Sequence, residues 1–369
     1  MDALMICATD LNLIGKFIYN VLYQWIQEWG SGISWIGPFG ITVILFTLML
    51  KLITSPFDVW QKSLTRKNAK IMEVMQPELE KAQRQCGDNK ELYMQKQREI
   101  FKKHNYSMFA SCLPMIITLA IFITVFSGFN SAVKHYNSSV FENLQVVYED
   151  TFNEAYSDAF DSERQSLAGS ELSETEKDTA ANKAAKAIAT ALAEEKVLES
   201  YKPERILLTT NIFMPDTWAK PIPTAEDYAG KGIGKLNIAT DKTIYDRVMK
   251  PIMNEYNKPG VWNGYLIFPI LAFILNIFSS RLMGSQTAAA PPMPGQTEEQ
   301  KKAQESQQKM MTYMMPVMMA VFAFLYSTAF TLYLLLNSGI TTAFNLIYNR
   351  VAKVKDAKEK DRYLSTTIK

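Results

Sequence analysis

The sequence predicts an all-α polytopic membrane protein. Its predicted parts are five transmembrane helices, an N-terminal interfacial amphipathic helix, a cytoplasmic helical hairpin and a large, mostly helical external insertion between spans two and three. Three observations predict this class. Apolar residues gather near 34–54, 109–127, 262–280 and 312–348, while the stretches between them carry nearly all the charge; about 20 such residues cross a ~30 Å hydrocarbon layer. The last block would extend about 55 Å as one helix, so it must fold back as two spans. Lys and Arg concentrate in connections that alternate along the chain, and such connections stay in the cytoplasm.

In chain order, residues 1–33 form an external N-terminus. Within it, Ile14, Phe17, Ile18, Val21, Leu22, Trp25, Ile26 and Trp29 recur at helical spacing. That pattern suits the bilayer interface, or packing on a soluble domain. TM1 covers 34–54. The basic connection 55–108 should be a cytoplasmic helical hairpin interrupted at "QCGDNKE", where Gly87 suits a helix C-cap and Asp88 or Asn89 the next N-cap. Ile71, Val74, Met75 and Leu79 are expected to face Leu92, Met94 and Ile100 across its seam. TM2 follows at 109–127. The extracytoplasmic domain, 128–261, begins polar, Ala-rich and helical, then turns irregular with Pro and Gly after 202. TM3 at 262–280, a flexible cytoplasmic linker at 281–310, TM4 at 311–327 and TM5 at 329–348 complete the spans. The last two should turn near Ser327-Thr328-Ala329, and their shortness should thin the bilayer around them. The tail 349–369 is basic and cytoplasmic.

Catalysis is not indicated. Cys7, Cys86 and Cys112 are scattered, and His104 and His135 are the only histidines, so neither a zinc site, a disulfide framework, a cofactor nor an enzymatic site is expected. "AGKGIGKL" lacks the first Gly of a phosphate loop and has Leu236 where Ser or Thr would hold magnesium. Neither a basic nor an apolar stretch precedes Cys7, so no removable signal is expected.

The informative residue is Lys51, inside "VILFTLMLKLITSP" at 43–56. A cation in hydrocarbon costs at least about 2.5–3.5 kcal/mol. It therefore either snorkels to the nearby cytoplasmic headgroups or lines a watered cavity. Thr47, one turn earlier on the same face, would extend such a cavity. Ser111, Cys112 and Thr118 in TM2, with Asn337, Ser338, Thr341 and Thr342 in TM5, are its candidate walls. The five predicted spans contain no acidic residue to pair with Lys51.

Taken in order, "TLMLKLITSPF", "MQPELEKAQRQCGDNKELYMQKQREIFKKHN", "SCLPMIITLAIF" and "MMTYMMPVMMAVFAFLYSTAFTLYLLLNS" resemble the YidC/Oxa/Alb membrane protein insertases over roughly 10–127 and 203–350. "RILLTTNIFMPDTWAKPIP" resembles the external segment before the third span in bacterial members. The resemblance implies an insertase and chaperone of the bacterial cytoplasmic (inner) membrane, with its N-terminus outside and C-terminus inside. Such a protein moves the short polar tails of client proteins through a hydrophilic groove and releases their apolar helices into the bilayer. It further implies that Lys51 stands where the family usually has a groove arginine, that Thr47 lies near that groove, and that Tyr333 and Leu334 contact the client helix. The insertion at roughly 131–202 has no counterpart in the family core.

On this reading Lys51 attracts acidic tails, and each acidic charge moving outward gains about 2.3 kcal/mol per 100 mV of potential. Met310, Met311, Met314, Met315, Met318 and Met319 would make an adaptable surface, or pack as ordinary span residues. Expected partners are client membrane proteins, membrane lipids, the Sec translocon, and the ribosome through the basic tail, which suits anionic lipid equally. The alternative is a small-solute transporter with a polar intramembrane cavity, against which stand the absence of an obvious repeat and of paired intramembrane charges. A third reading is a scaffold that displays 131–261.

Overall fold

A computed structural model describes residues 11–28, 35–87, 89–106, 108–284 and 315–367. Among them the regular structure is helical, with isolated bridges joining Ile206 to Ile36 and to Thr209. The chain divides into two compact units: Met1–Thr42, Thr124–Leu266 and Ser327–Ala329 form the first, and Val43–Ile123, Ile267–Tyr326 and Phe330–Lys369 the second.

In the first unit, α1 is composite: α-helical Leu13–Lys16, π-helical Phe17–Tyr23 and α-helical Gln24–Glu28. The wider π turn shifts the register of the predicted apolar stripe. Ile18, Leu22, Tyr23 and Ile26 are buried, while Val21 and Trp25 of that stripe stay exposed; Trp29 lies outside the described residues. The buried face meets α4 (Met108–Ser166) at Gly128, where a Cβ would collide with Ile14. Asn12 donates to Ser131 Oγ, and Tyr23 sets its ring edge-on to Tyr136. Gly128 is therefore a point of close approach inside a helix that continues past it. Helix α4 runs unbroken for 59 residues, or about 88 Å.

Beyond it, α5 (Glu174–Ser200) starts at a capping box between Ser173 and Glu176 and buries Ala181, Ala185, Ala189, Ala193 and Val197, one residue per turn. That small-residue stripe allows close packing against α7 (Ile238–Tyr256), and Lys250 ties the pair to Glu194 at 2.8 Å. Short α6 (Ala225–Gly230) is capped by Thr224.

The irregular segment 204–216 organises this unit. A helix start leaves its first N–H groups without intrahelical partners, and this one segment supplies acceptors to three starts. Glu204 Oε2 accepts from Phe39 N at 3.0 Å, in the first turn of α2 (Pro38–Cys86). Asp216 Oδ1 accepts from Tyr265 N and Leu266 N, just before α8 (Ile267–Gly284). The carbonyls of Met214 and Ile212 accept from Thr328 N and Ala329 N, where α10 (Thr328–Thr367) opens. Asn263 braces the segment from within, bonding both Asn211 N and Asn211 O and also Pro215 O. The Glu204 carboxyl is buried, which pushes it up to about 7 against the opposing pull of its bonds from Phe39 N, Tyr136 and Tyr23.

In the second unit, α2 is one helix of 49 residues that joins predicted TM1 to the first arm of the hairpin. It passes through Pro56, which cannot donate to Leu52 O; Ser55 Oγ donates to that carbonyl instead, at 3.0 Å. The helix ends at Gly87, whose φ of +54° is the left-handed conformation glycine favours, and Asn89 caps α3 (Lys90–Lys103). The hairpin core is Met72, Met75 and Leu79, with Ile71, Ile100, Phe101 and Tyr106 packed against it. Val74, Leu92 and Met94, expected in the seam, are exposed. The true stripe, 72-75-79-82-86, alternates steps of three and four, and Val74 falls off it.

Helix α8 packs on α9 (Met315–Leu325); the chain turns at Tyr326 and Ser327, and α10 follows. Among the described residues three helical stretches are long and apolar enough to cross a membrane, Pro38–Cys86, Ile116–Ser166 and Thr328–Ala352, with a shorter apolar helix at Ile267–Arg281. The second unit leaves Leu52, Ile53, Leu119, Ile274, Phe278 and Val321 exposed, a density of apolar surface that calls for lipid.

Candidate functional site

Helix α2 sorts its residues by face just where the lysine stands. Leu52, Ile53, Val59 and Trp60 are exposed, whereas Lys51, Thr54, Ser55, Asp58, Gln61 and Lys62 are half-buried. Lys51 keeps only 15% of its side chain exposed, and its Nζ lies 3.1 Å from Asp58 Oδ2, itself 24% exposed. Seven residues are nearly two full helical turns, so the two side chains stand one above the other. Side chains lean toward the helix N-terminus, which brings the short Asp58 back toward the long Lys51. The sequence reading of an unpaired intramembrane cation is thereby corrected: Asp58 lies past the predicted end of TM1, and the lysine stem reaches it.

One turn further, Lys62 continues the same face. Its Nζ bonds Asn345 Oδ1 of α10 and lies 4.7 Å from the centre of the Phe344 ring and 5.1 Å from that of Tyr348. Asp58 and Lys51 both act electrostatically on Lys62, so the three charges form one system. Asn345 is buried, and its Nδ2 has no hydrogen-bond partner among the described residues. Asp58, Lys62 and Asn345 were missed by the sequence reading; the signal was the i, i+7, i+11 spacing from Lys51.

The other expected residues are placed as follows. Thr47 is fully buried and donates to Val43 O at 2.7 Å, so its hydroxyl hydrogen turns back on its own helix. Thr341 and Thr342 do likewise, to Asn337 O and Ser338 O. Ser338 reaches across to α8, donating to Asn276 Oδ1 at 2.8 Å. Thr118 is exposed. The side chains of Ser111, Cys112 and Met315 lie outside the described residues, as do Met310, Met311 and Met314; Met318 is exposed and Met319 half-buried. Tyr333 and Leu334 are buried, Tyr333 stacking on Phe330 with ring centres 6.0 Å apart. Among the described residues no group of three His, Cys, Asp or Glu could hold a metal ion. What this place offers is two cations and one carboxylate on α2 and a buried amide donor on α10: equipment for holding polar groups, without a nucleophile and base in contact.

A family described as 60Kd inner membrane protein matches residues 32–167 and 218–357. The gap between the matched blocks takes in α5 and the whole capping segment 204–216, whereas residues 131–167, expected to lie outside the family core, fall within the first block. Among curated relatives, a membrane protein insertase YidC of Fusobacterium nucleatum is 30% identical over 125 residues, 34% of this chain and 59% of the relative. One of Clostridium tetani is 33% identical over 93 residues, 25% and 40% of the respective chains. One of Leptospira interrogans is 28% identical over 100 residues, 27% and 15%. The chain thus spans less than two thirds of each of these relatives' own length.

Proposed function

Since this chain belongs to the 60Kd inner membrane protein family, we propose that it acts as a membrane protein insertase and chaperone. In this reading the chain crosses the inner membrane five times, N-terminus outside and C-terminus in the cytoplasm. The capping pattern supports that arrangement. The starts of α2, α8 and α10 are all held by segment 204–216, as they would be if spans one, three and five ran in the same direction.

The observation that carries the function is the half-buried polar face of α2 around Lys51, set beside exposed Leu52 and Ile53. A translocating tail must shed the water on its polar groups, and that desolvation opposes crossing. A wet groove along this face, bordered by Thr47 and by Ser338, Thr341 and Thr342, would shorten the dry path. The two short spans predicted at 311–327 and 329–348 would thin the bilayer around them. The client's apolar helix would meanwhile slide along exposed apolar surface into lipid. Tyr333 and Leu334 would touch it only after the chains that cover them move aside. The basic tail would meet the ribosome or anionic lipid, and the external domain is the natural contact for a Sec translocon.

The test is insertion of a short client with an acidic N-terminal tail into vesicles carrying wild type, Lys51→Arg or Lys51→Ala. Arg should insert the client about as well as wild type, and Ala should lose most of the activity. If Ala inserts every client as well as wild type, Lys51 is only a membrane anchor. The transporter alternative regains some ground from the Lys51–Asp58 pair, because paired intramembrane charges are a transporter feature. Uptake of a small solute by vesicles holding this protein alone would favour it.

A further inference from the structure

We propose that Asp58 is a specificity-determining residue: it offsets the charge of Lys51, so that this face accepts client tails of either sign instead of selecting acidic ones. The inference rests on the insertase reading and deepens it. A lone groove cation would hold carboxylates and repel ammonium groups. Here the cation already has a carboxylate at 3.1 Å, and that carboxylate stands between two lysines, Lys51 two turns before it and Lys62 one turn after.

The arrangement lets partners exchange without stranding a charge, which is the costly event in a poorly solvated place. When an acidic tail takes Lys51, Asp58 keeps Lys62 at i+4, a favourable acid-before-base spacing on a helix. When a basic tail arrives, it takes Asp58, and Lys62 keeps Asn345 Oδ1 and the faces of Phe344 and Tyr348. A backbone carbonyl of either tail can accept from Asn345 Nδ2, the buried donor left unpaired among the described residues. Substituting Asp58 with a neutral residue would leave two uncompensated cations on this face, and acidic tails should then gain while basic tails lose.

The experiment uses the full chain in vesicles with no potential imposed, because a potential would itself sort tails by sign. Two clients differ only in carrying two aspartates or two lysines in a short N-terminal tail. Wild type should insert both within a few-fold of each other. Asp58→Asn should raise the acidic-to-basic ratio by about tenfold, the factor that corresponds to about 1.4 kcal/mol. The exchanged pair, Lys51→Asp with Asp58→Lys, should return the ratio toward parity and guards against simple damage to the fold. An unchanged ratio in Asp58→Asn, with both clients still inserted, overturns the assignment. A wild type that inserts neither client above empty vesicles removes the insertase reading itself.

Discussion

The polar cluster of the first unit and that of the second are held in different ways. In the first, each partner is fixed: Asn263 makes three hydrogen bonds to backbone, Asp216 bonds two N–H groups, and Glu204 bonds Phe39 N and Tyr136. In the second, the polar groups of α2 are charged side chains on flexible stems, each with a neighbour that could replace its partner. Fixed backbone bonds give rigidity; long charged side chains allow partners to exchange. The difference teaches that the first unit holds helix ends with fixed bonds, while the charged side chains of the second have alternative partners within reach.

The largest effect should come from breaking the fixed side. Asn263→Ala removes the partner of Asn211 N at a buried site and one of two donors to each of Asn211 O and Pro215 O, and with about 1–3 kcal/mol for the group left unsatisfied and about 1 kcal/mol for each further bond lost the loss should be about 4 kcal/mol. Thermal unfolding in detergent should show a markedly lower midpoint, with proteolysis beginning in 204–216.

Next comes Glu204. Burial lifts its carboxyl to about 7, above the ordinary value of 4.5 that applies in the unfolded chain. The folded state therefore holds the proton more tightly. The associated stability is full below about pH 4.5 and is lost as pH rises through 7, a total of about 3 kcal/mol. Unfolding midpoints at pH 5 and pH 8 should differ for wild type, and Glu204→Gln should flatten that difference. A Gln variant with the full wild-type slope would assign the effect to another group. The smallest effect is expected in the second unit, where Gly87→Ala must place a Cβ at φ +54°, at about 1 kcal/mol. Hydrogen exchange should quicken across α3 while the first unit stays protected.

How much of this was legible in the sequence depended on distance along the chain. The turn at Gly87 and Asn89 was readable because its chemistry is local, and so was the helix break near Ser327, since a helix of 312–348 overruns the bilayer. The π segment of α1 was not, because apolar spacing was read at 3.6 residues per turn and seven residues of wider turn moved Tyr23 inward and Trp25 outward. Asp58 was missed for a different reason: an apolar-run boundary at residue 54 assigned it to the hairpin, although the helix and its polar face continue through. Nothing local could announce the caps, since Glu204 and Phe39 are 165 positions apart.

That separation also sets a clock. A ribosome adds about 5–20 residues each second, so the start of α2 waits on the order of ten seconds before Glu204 has even been made. Segment 204–216, by contrast, precedes both Leu266 and Thr328, so α8 and α10 find their acceptors already synthesised. Helix α2 is completed only once the segment that will receive the later helices exists, and the first unit closes around that segment from both directions of the growing chain.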